Sequence, residues 1–328
     1  MNRITRNLHE LSKIKVKDLL PYVKFRLISW YYSRYIRNNR EEYNKLIDED
    51  RKKAVDILWQ SSYGKKFPWK KPVTLNEKIT WLSSMTDTST WTKLSDKYEV
   101  RAYVEEKVGA DILTKCYGVW NSADEIDFDS LPNSFAIKCT HDCASTYLVK
   151  DKKKSDLEKI KTELHKHMSQ KYGYQFCEPH YTKVEPRIIA EELIDFDSTI
   201  SSSIVDYKFW VFNGKVKCCM LVYDRESEDE GGDYVLDLYS VKPWKQMEGL
   251  KPDYDKRYKK GMSEPANLER MVEVAEKLGE GLPQVRVDLY NLNGKIYFGE
   301  MTFTSQGGRM SYYTQEFQKE MGDQIKLP

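Results

Sequence analysis

The sequence lacks the long apolar run that a membrane-spanning helix requires, because polar or charged residues interrupt every stretch of roughly 18 residues. It also lacks an excess of charge, since 53 Lys and Arg stand against 51 Asp and Glu, a formal net charge of +2. Such a balance gives no strong overall field to steer a phosphate polymer. The composition therefore predicts no transmembrane helix and argues against bulk nucleic-acid binding.

Cysteine is sparse and irregularly spaced: the six residues do not follow a disulfide-framework pattern. The run from Cys139 to Cys143 includes His141, but no second ligand pair follows it, which disfavours a zinc site. No signal-peptide pattern precedes these residues, so a reducing cytoplasm is the expected location. The sequence also offers no convincing Ser-His-Asp or Cys-His set for nucleophilic catalysis.

Positive charge is concentrated at the start of the chain. Residues 1–40 contain ten Lys and Arg against Glu10 and Asp18, around an apolar and aromatic run at 19–36. This pattern predicts a basic amphipathic helix. It could lie on an anionic membrane surface, or pack on the body of the protein with its charges in water. The packing interpretation is the favoured one.

Two strands near the C-terminus carry the most informative pattern. Residues 285–290 and 295–302 alternate in polarity around a turn at Asn293-Gly294, which predicts an antiparallel hairpin. Alternation puts Arg286 and Asp288 on one face of the first strand, and Phe298, Glu300 and Thr302 on one face of the second. Such a hairpin can bring Asp288 and Glu300 together around a hard cation, although two solvated surface acids are the simpler interpretation.

Further elements come before this hairpin. The sequence predicts a helix at 92–108, a strand at 135–139 with Lys138 near its end, and a strand at 187–194 that ends in acids. A second hairpin turns at Asn213-Gly214, residues 227–263 are interpreted as loop, and a helix is predicted at 268–278. Together these elements predict an α+β fold with antiparallel hairpins rather than a doubly wound parallel sheet.

Five sequence segments resemble the TupA-like group of ATP-grasp enzymes over about residues 67–327. They are Leu75-Asn-Glu-Lys-Ile, Lys93-Leu-Ser-Asp-Lys-Tyr, Asp206-Tyr-Lys-Phe, Val285-Arg-Val-Asp-Leu-Tyr and Lys295-Ile-Tyr-Phe-Gly-Glu-Met-Thr-Phe-Thr. The resemblance implies an ATP-grasp fold that holds ATP between two subdomains. It implies the start of the grasp body at 67–134, a small subdomain with the phosphate loop at 135–194, and a large subdomain with the metal hairpin at 195–328. The residue pattern itself assigns 1–66 to a basic helical region that precedes them.

The same resemblance implies ATP and Mg²⁺ as cofactors and assigns residues to them. Lys97 and Lys138 would contact phosphates, and the loop 140–146 would cover them. The hinge at 191–193 would meet adenine. The full nucleotide-binding set is Lys97, Lys138, Thr140, His141, Ser145, Thr146, Glu191, Glu192 and Leu193. The loop departs from the glycine-rich family pattern, and Asp142 within it is expected to repel phosphate.

The implied metal ligands are Asp288, Glu300 and Thr302, the last standing where many grasp enzymes have Asn. The implied catalytic residues are Arg286, facing the transferred phosphoryl group, Lys208, which could touch phosphate or the acyl group, and Arg309, which could bind a carboxylate. Arg225 is a weaker candidate of the same kind. For Lys208, cross-strand pairing with an acid is an equally good interpretation.

The function implied by the resemblance is an ATP-dependent carboxylate–amine ligase of cell-surface polymer biosynthesis. Its substrates would be a sugar uronic acid and an amino acid or other amine. Two alternatives remain open: a sugar or glycolipid kinase, and a glycosyltransferase or non-catalytic partner in polysaccharide assembly.

Overall fold

The computed structural model describes residues 16–143, 145–225, 233–254 and 261–328. The chain divides into two compact units, Met1–Lys71 and Pro72–Pro328. The six cysteines all lie in the described segments and are free thiols. Within those segments, no helix is both long enough and apolar enough to cross a bilayer.

The first unit is helical, as its sequence pattern predicts. Its helices are α1 (Val16–Asn38), α2 (Arg40–Glu49) and α3 (Arg51–Tyr63). The Asp50 side chain caps α3 by accepting from the backbone N–H of Lys53, and Gly64 ends the helix in the left-handed conformation. Tyr43 and Ile47 of α2 are fully buried.

Three helices open the second unit: α4 (Leu75–Met85), α5 (Ser89–Ser95) and α6 (Val100–Val108). Thr74 and Glu77 form a capping box at the start of α4. The single helix predicted at 92–108 is wrong, because the chain turns between α5 and α6. Asp96 leaves the helical conformation there and its carboxylate accepts from two following backbone N–H groups.

A four-stranded antiparallel sheet forms the smaller part of this unit. Its strands are β1 (Cys116–Trp120), β2 (Phe135–Cys139), β3 (Tyr147–Val149) and β4 (Ile188–Glu191), in the order β1-β4-β2-β3. Helix α7 (Leu157–Met168) contributes Leu164 to the core beneath it. Because β4 is a central strand, the acid at its end cannot be a solvated edge residue.

The larger sheet has six antiparallel strands in the order β10-β9-β5-β6-β7-β8. They are β5 (Asp206–Phe212), β6 (Lys215–Tyr223), β7 (Val235–Val241), β8 (Trp244–Gln246), β9 (Gln284–Leu292) and β10 (Lys295–Thr302). Helices α8 (Leu268–Leu278) and α9 (Gln315–Asp323) complete the unit. The α+β prediction is confirmed, whereas the loop predicted at 227–263 is wrong for the two strands β7 and β8.

Candidate active site

The hairpin of β9 and β10 turns at Asn293-Gly294, as predicted, with φ angles of 52° and 88°. Farther along, the register shifts by one residue between Phe298 and Glu300. Without this bulge, Gly299 would lie opposite Asp288; with it, Glu300 does. The expectation that Phe298 and Glu300 share a face is therefore wrong, because Phe298 instead joins the buried core.

Glycine suits the bulge because the two strands approach closely there. A Cβ on Gly299 would lie 3.0 Å from the backbone oxygen of Asp288 and 3.2 Å from the ring of Tyr290. Both distances are shorter than ordinary van der Waals contact. The bulge therefore depends on a residue without a side chain, and through it the predicted proximity of Asp288 and Glu300 is achieved.

The Arg286 guanidinium forms hydrogen bonds with several side chains of this face. Its Nη2 lies 2.7 Å from Asp288 Oδ2, 3.0 Å from Glu300 Oε1 and 3.0 Å from Thr302 Oγ1. Its Nε donates to Asp288 Oδ1 at 2.7 Å, and its Nη1 donates to Ser305 Oγ at 2.8 Å. Three side-chain oxygens, two of them from acids, thus converge on one cationic nitrogen.

Lys208 supplies a second cation from the neighbouring strand. It lies directly opposite Asp288 in the pairing of β5 with β9, and its Nζ donates to Asp288 Oδ2. The same Nζ lies 3.1 Å from Asp206 Oδ2, which also accepts from Arg225. The cross-strand pairing expected as one interpretation of Lys208 is therefore present in the structure.

Glu300 is the more accessible acid, with 37% of its side chain exposed. Partial burial opposes its ionisation, but the charges of Arg286, Lys208 and Lys97 outweigh that effect and lower its pKa to about 2. Glu300 is therefore a carboxylate at any physiological pH. Thr302 donates to its Oε1 at 2.8 Å, which fixes the orientation of the group.

Lys97 joins the predicted phosphate loop to this face. It lies in the turn between α5 and α6, where its backbone N–H donates to the carbonyl of Thr140 at 3.2 Å. Its Nζ donates to the carbonyl of Asp142, and its charge contributes to the low pKa of Glu300. The structure therefore brings Lys97 and the loop close to the β9–β10 hairpin.

Most of the candidate residues in this loop are buried, and hydrogen bonds fix the Asp142 side chain. Thr140, His141, Asp142 and Ser145 are buried, whereas Thr146 is exposed. Asp142 accepts from Ser145 and lies 2.7 Å from Nδ1 of His167, a residue of α7. The Asp142 carboxylate is thus held inside the protein by Ser145 and His167, and its expected effect on phosphate stays a prediction.

Lys138 and Glu191 pair with each other on the smaller sheet. Their Nζ and Oε2 atoms are 2.6 Å apart, and Glu191 Oε1 also accepts from Arg101 at 2.7 Å and Thr114 at 2.8 Å. Burial opposes the charge of Glu191, but these partners hold its pKa below the ordinary value. Both oxygens of Glu191 are thus engaged, in place of the solvent-facing acid that a strand end would suggest.

The other two predicted hinge residues flank this pair. The backbone N–H of Glu192 donates to the carbonyl of Lys115 at 2.8 Å, and its side chain is more accessible than that of Glu191. Leu193 follows β4 and is half-buried. Glu192 and Leu193 therefore leave the sheet beside an acid that is already fully paired.

Replacing Glu191 with Gln should lower the free energy of unfolding by about 3 kcal/mol, because Arg101 and Lys138 would remain largely buried without a counter-charge. The matched control is Glu192→Gln, which removes the more accessible neighbouring charge. Urea denaturation of both variants measures the difference. Equal losses in the two variants would refute this assignment.

Arg309 lies in the segment that follows β10, beside a buried acid. Its guanidinium stands over the ring of Phe176 at 4.4 Å, and its charge acts on Glu178. Glu178 is almost fully buried and accepts from Thr304 Oγ1, which also lies 3.3 Å from His180 Nε2. Arg309 therefore lies beside Phe176 and Glu178.

The Glu178 cluster predicts a pH effect on stability. Burial raises the pKa of Glu178 to about 7 from 4.5, while the Thr304 hydrogen bond and Arg309 oppose the rise. The folded state thus holds the proton more tightly, so stability should fall as pH rises from 4.5 to about 7. That fall amounts to about 3 kcal/mol, and Glu178→Gln should lack it.

Urea denaturation at pH 4 and pH 8 tests this pH effect. His180 is common to both proteins, so its titration cancels in the comparison. The glutamine variant should gain stability relative to wild type on going from pH 4 to pH 8. Parallel pH profiles for the two proteins would contradict the shifted Glu178.

Several residues of these networks were not predicted from sequence. Ser305 accepts a hydrogen bond from Arg286, His167 lies within hydrogen-bond distance of Asp142, and Arg101 donates to Glu191. None of them occurs in a motif, and each reaches its partner across many intervening residues. The contact of Asp206 with Lys208 could have been predicted, because Asp206 stands two residues earlier on the same face of the strand.

The described segments contain no group of three or more His, Cys, Asp and Glu side chains arranged to hold a metal ion. The fit to Mg²⁺ therefore depends on the oxygens around Arg286. Asp288, Glu300 and Thr302 offer hard oxygen donors. A carboxylate has roughly four acceptor positions, and Asp288 accepts three hydrogen bonds and Glu300 two, so both keep capacity for a cation. Mg²⁺ binds through one or two carboxylates plus substrate phosphates, so this donor set fits it.

The chain was compared with known families and structures. A family model described as TupA-like ATPgrasp matches residues 77–326. Comparison with curated proteins found no significant match. Among solved structures, the chain is similar to a D-alanine–D-alanine ligase from Helicobacter pylori, with 15% identity and a TM-score of 0.39 over 78% of this chain and 64% of that one.

A D-alanine–D-alanine ligase from Bacillus anthracis gives 15% identity and a TM-score of 0.39, over 77% of this chain and 69% of that chain. The ATP-grasp ligase PsnB, complexed with a minimal precursor, gives 12% identity and a TM-score of 0.37, over 76% and 67%. The chain thus spans just under two thirds of the Helicobacter protein and slightly more than two thirds of each of the other two.

The family model covers more than half of the chain, including most of α4, both lysine-bearing segments and the whole β9–β10 hairpin. The solved structures are too distant to identify a substrate. The chain belongs to the TupA-like ATP-grasp family.

Proposed function

We propose that this protein joins a carboxylate to an amine at the expense of ATP, releasing ADP and phosphate. The observation that carries the proposal is the convergence of Asp288, Glu300 and Thr302 on Arg286, with Lys208 beside them, in a chain of this family. The γ-phosphoryl group would pass to a carboxylate oxygen of the substrate, forming an acyl phosphate. The amine would then attack the acyl carbon, losing a proton as phosphate leaves.

Asp288 and Glu300 would hold Mg²⁺, with Thr302 orienting Glu300. Bound there, Mg²⁺ would neutralise charge on the phosphates. Arg286 and Lys208 are the cations nearest these acids and would stabilise charge on the transferred group. Both already engage Asp288, so their positions are set before any substrate arrives, and little side-chain ordering would be needed.

Lys97 and Lys138 would bind nucleotide phosphates from the opposite side. Lys97 supports this role because its Nζ lies at the loop and its charge acts on Glu300. Lys138 would do so from the end of β2 while remaining paired with Glu191. In this arrangement Thr140, His141, Ser145 and Thr146 would form the phosphate cover, and Glu192 and Leu193 would meet adenine.

Arg309 would bind the carboxylate of an acceptor, since it follows the hairpin in the chain and its guanidinium suits bidentate recognition. A sugar uronic acid of a surface polysaccharide precursor is the proposed acceptor, with an amino acid or another amine as its partner. The proposed location is the cytoplasm, where ATP is supplied.

The products of the purified protein test this function. With ATP, Mg²⁺, a uronate-containing acceptor and a mixture of amino acids, we expect ADP and phosphate in equal amounts and an amide detectable by mass spectrometry. ADP without free phosphate would instead identify a kinase. AMP and pyrophosphate would refute the proposed reaction, and failure to bind ATP with Mg²⁺ by calorimetry would favour a non-catalytic role.

A further inference from the structure

Helix α1 packs on its own unit through one face. Phe25 lies against Gly64, where an added Cβ would come within 2.6 Å of the Phe25 ring, and Ser29 donates to the carbonyl of Ser61 in α3. Tyr32 and Ile36 continue this face at helical spacing and are half-buried. The residues of α1 that pack against α3 and its C-terminal Gly64 therefore lie on one side of the helix.

The opposite side of α1 exposes large apolar residues. Leu20 is 79% exposed, Leu27 62%, Trp30 61% and Tyr31 58%. At 3.6 residues per turn, these four positions fall within an arc of roughly 100° on the helix surface. An arc of this kind, with leucine beside tryptophan and tyrosine, is an apolar face that α2 and α3 of the same unit leave exposed.

Basic residues border and interrupt this apolar arc. Lys24 lies on one side of it, Arg26 and Arg37 lie on the other, and Arg34 stands over the Trp30 ring at 5.7 Å. The sequence from residue 19 to residue 40 contains no acid, and residues 1–40 carry ten Lys and Arg against two acids. Since the whole chain has a net charge of only +2, its positive charge is segregated onto this segment.

We propose that α1 binds the surface of an anionic lipid bilayer, lying in the plane of the interface. Its leucines would enter the acyl boundary, Trp30 and Tyr31 would sit at headgroup depth, and the lysine and arginine side chains would meet lipid phosphates. A second copy of the chain fits this face poorly, because two basic faces would repel each other. Nucleic acid fits poorly as well, because exposed leucines gain nothing from a phosphate backbone.

Vesicle flotation of the full chain tests the proposal. Wild-type protein should float with phosphatidylcholine vesicles that contain phosphatidylglycerol, and its affinity for pure phosphatidylcholine vesicles should be at least about tenfold lower. Added salt should release the bound protein, as expected for contacts with charged headgroups. The variant Leu27→Ser/Trp30→Ser and the variant Arg26→Gln/Arg34→Gln should each lose at least about tenfold in affinity for the anionic vesicles.

The matched control is Ile200→Ser, which removes a similarly exposed apolar residue from the second unit and should float like wild type. Circular dichroism and thermal unfolding establish that the α1 variants are folded. Equal flotation with anionic and neutral vesicles, or undiminished flotation of both α1 variants, would overturn the proposal. Self-association abolished by the same variants, without vesicle binding, would assign the face to a second copy of the chain. Vesicle binding requires no turnover, so this result is independent of the proposed reaction.

Discussion

Asp288→Asn is expected to lower kcat/KM by about 10³-fold or more, and also to lower the free energy of unfolding because Arg286 and Lys208 lose a counter-charge. The substitution keeps the size of the side chain and removes the charge that faces both Arg286 and Lys208. If Asp288 is a ligand of Mg²⁺, the variant also loses one of the two carboxylates that hold the ion. Removing one such charge from a catalytic site typically costs several kcal/mol of transition-state stabilisation.

Two measurements separate this effect from simple damage. Mn²⁺ binding followed by electron paramagnetic resonance should weaken in Asp288→Asn, whereas circular dichroism should match that of wild type. The control variant Glu276→Gln removes an acid that pairs with Lys215 on the surface, and it should retain wild-type turnover and Mn²⁺ affinity. Retained turnover in Asp288→Asn would remove Asp288 from the site.

The parts of the fold that were predictable from sequence follow local rules. Asn213-Gly214 and Asn293-Gly294 each adopt positive φ angles between paired strands, as two-residue hairpin turns require. Helix α8 has the predicted bounds, because apolar residues recur at helical spacing and Gly279 follows the last of them. In each case the determining residues lie within one turn or one helix of each other.

The parts that were missed depend on partners far away in the chain. The bulge at Gly299 decides which residue faces Asp288, yet a lone glycine in a strand does not specify a register shift. The break between α5 and α6 is stabilised by Asp96, whose carboxylate also binds Arg187 beside Thr140. Glu191 was expected in a hinge that meets adenine, and its pairing with Arg101 and Lys138 depends on β4 being a central strand.

The same dependence on distant partners makes Arg286 the most sensitive position of the candidate site. Arg286→Met should lower the free energy of unfolding by about 3–5 kcal/mol, because Asp288 and Glu300 would lose the cation between them. Activity should fall at least about 10³-fold, since the remaining side chains cannot keep the two carboxylates in position. Urea denaturation and steady-state kinetics measure the two effects separately.

Arg286→Lys distinguishes the contribution of the positive charge from that of the guanidinium geometry. One ammonium group restores the positive charge, but it cannot reproduce the fork that binds both Asp288 oxygens and also reaches Ser305. The lysine variant should therefore recover part of the lost stability and little of the lost activity. Adding Glu300→Gln to Arg286→Met should in turn restore stability, because it removes an acid that no longer has its partner. Full activity in Arg286→Lys would mean that positive charge alone is required, and additive losses in the double variant would mean that Arg286 and Glu300 act independently.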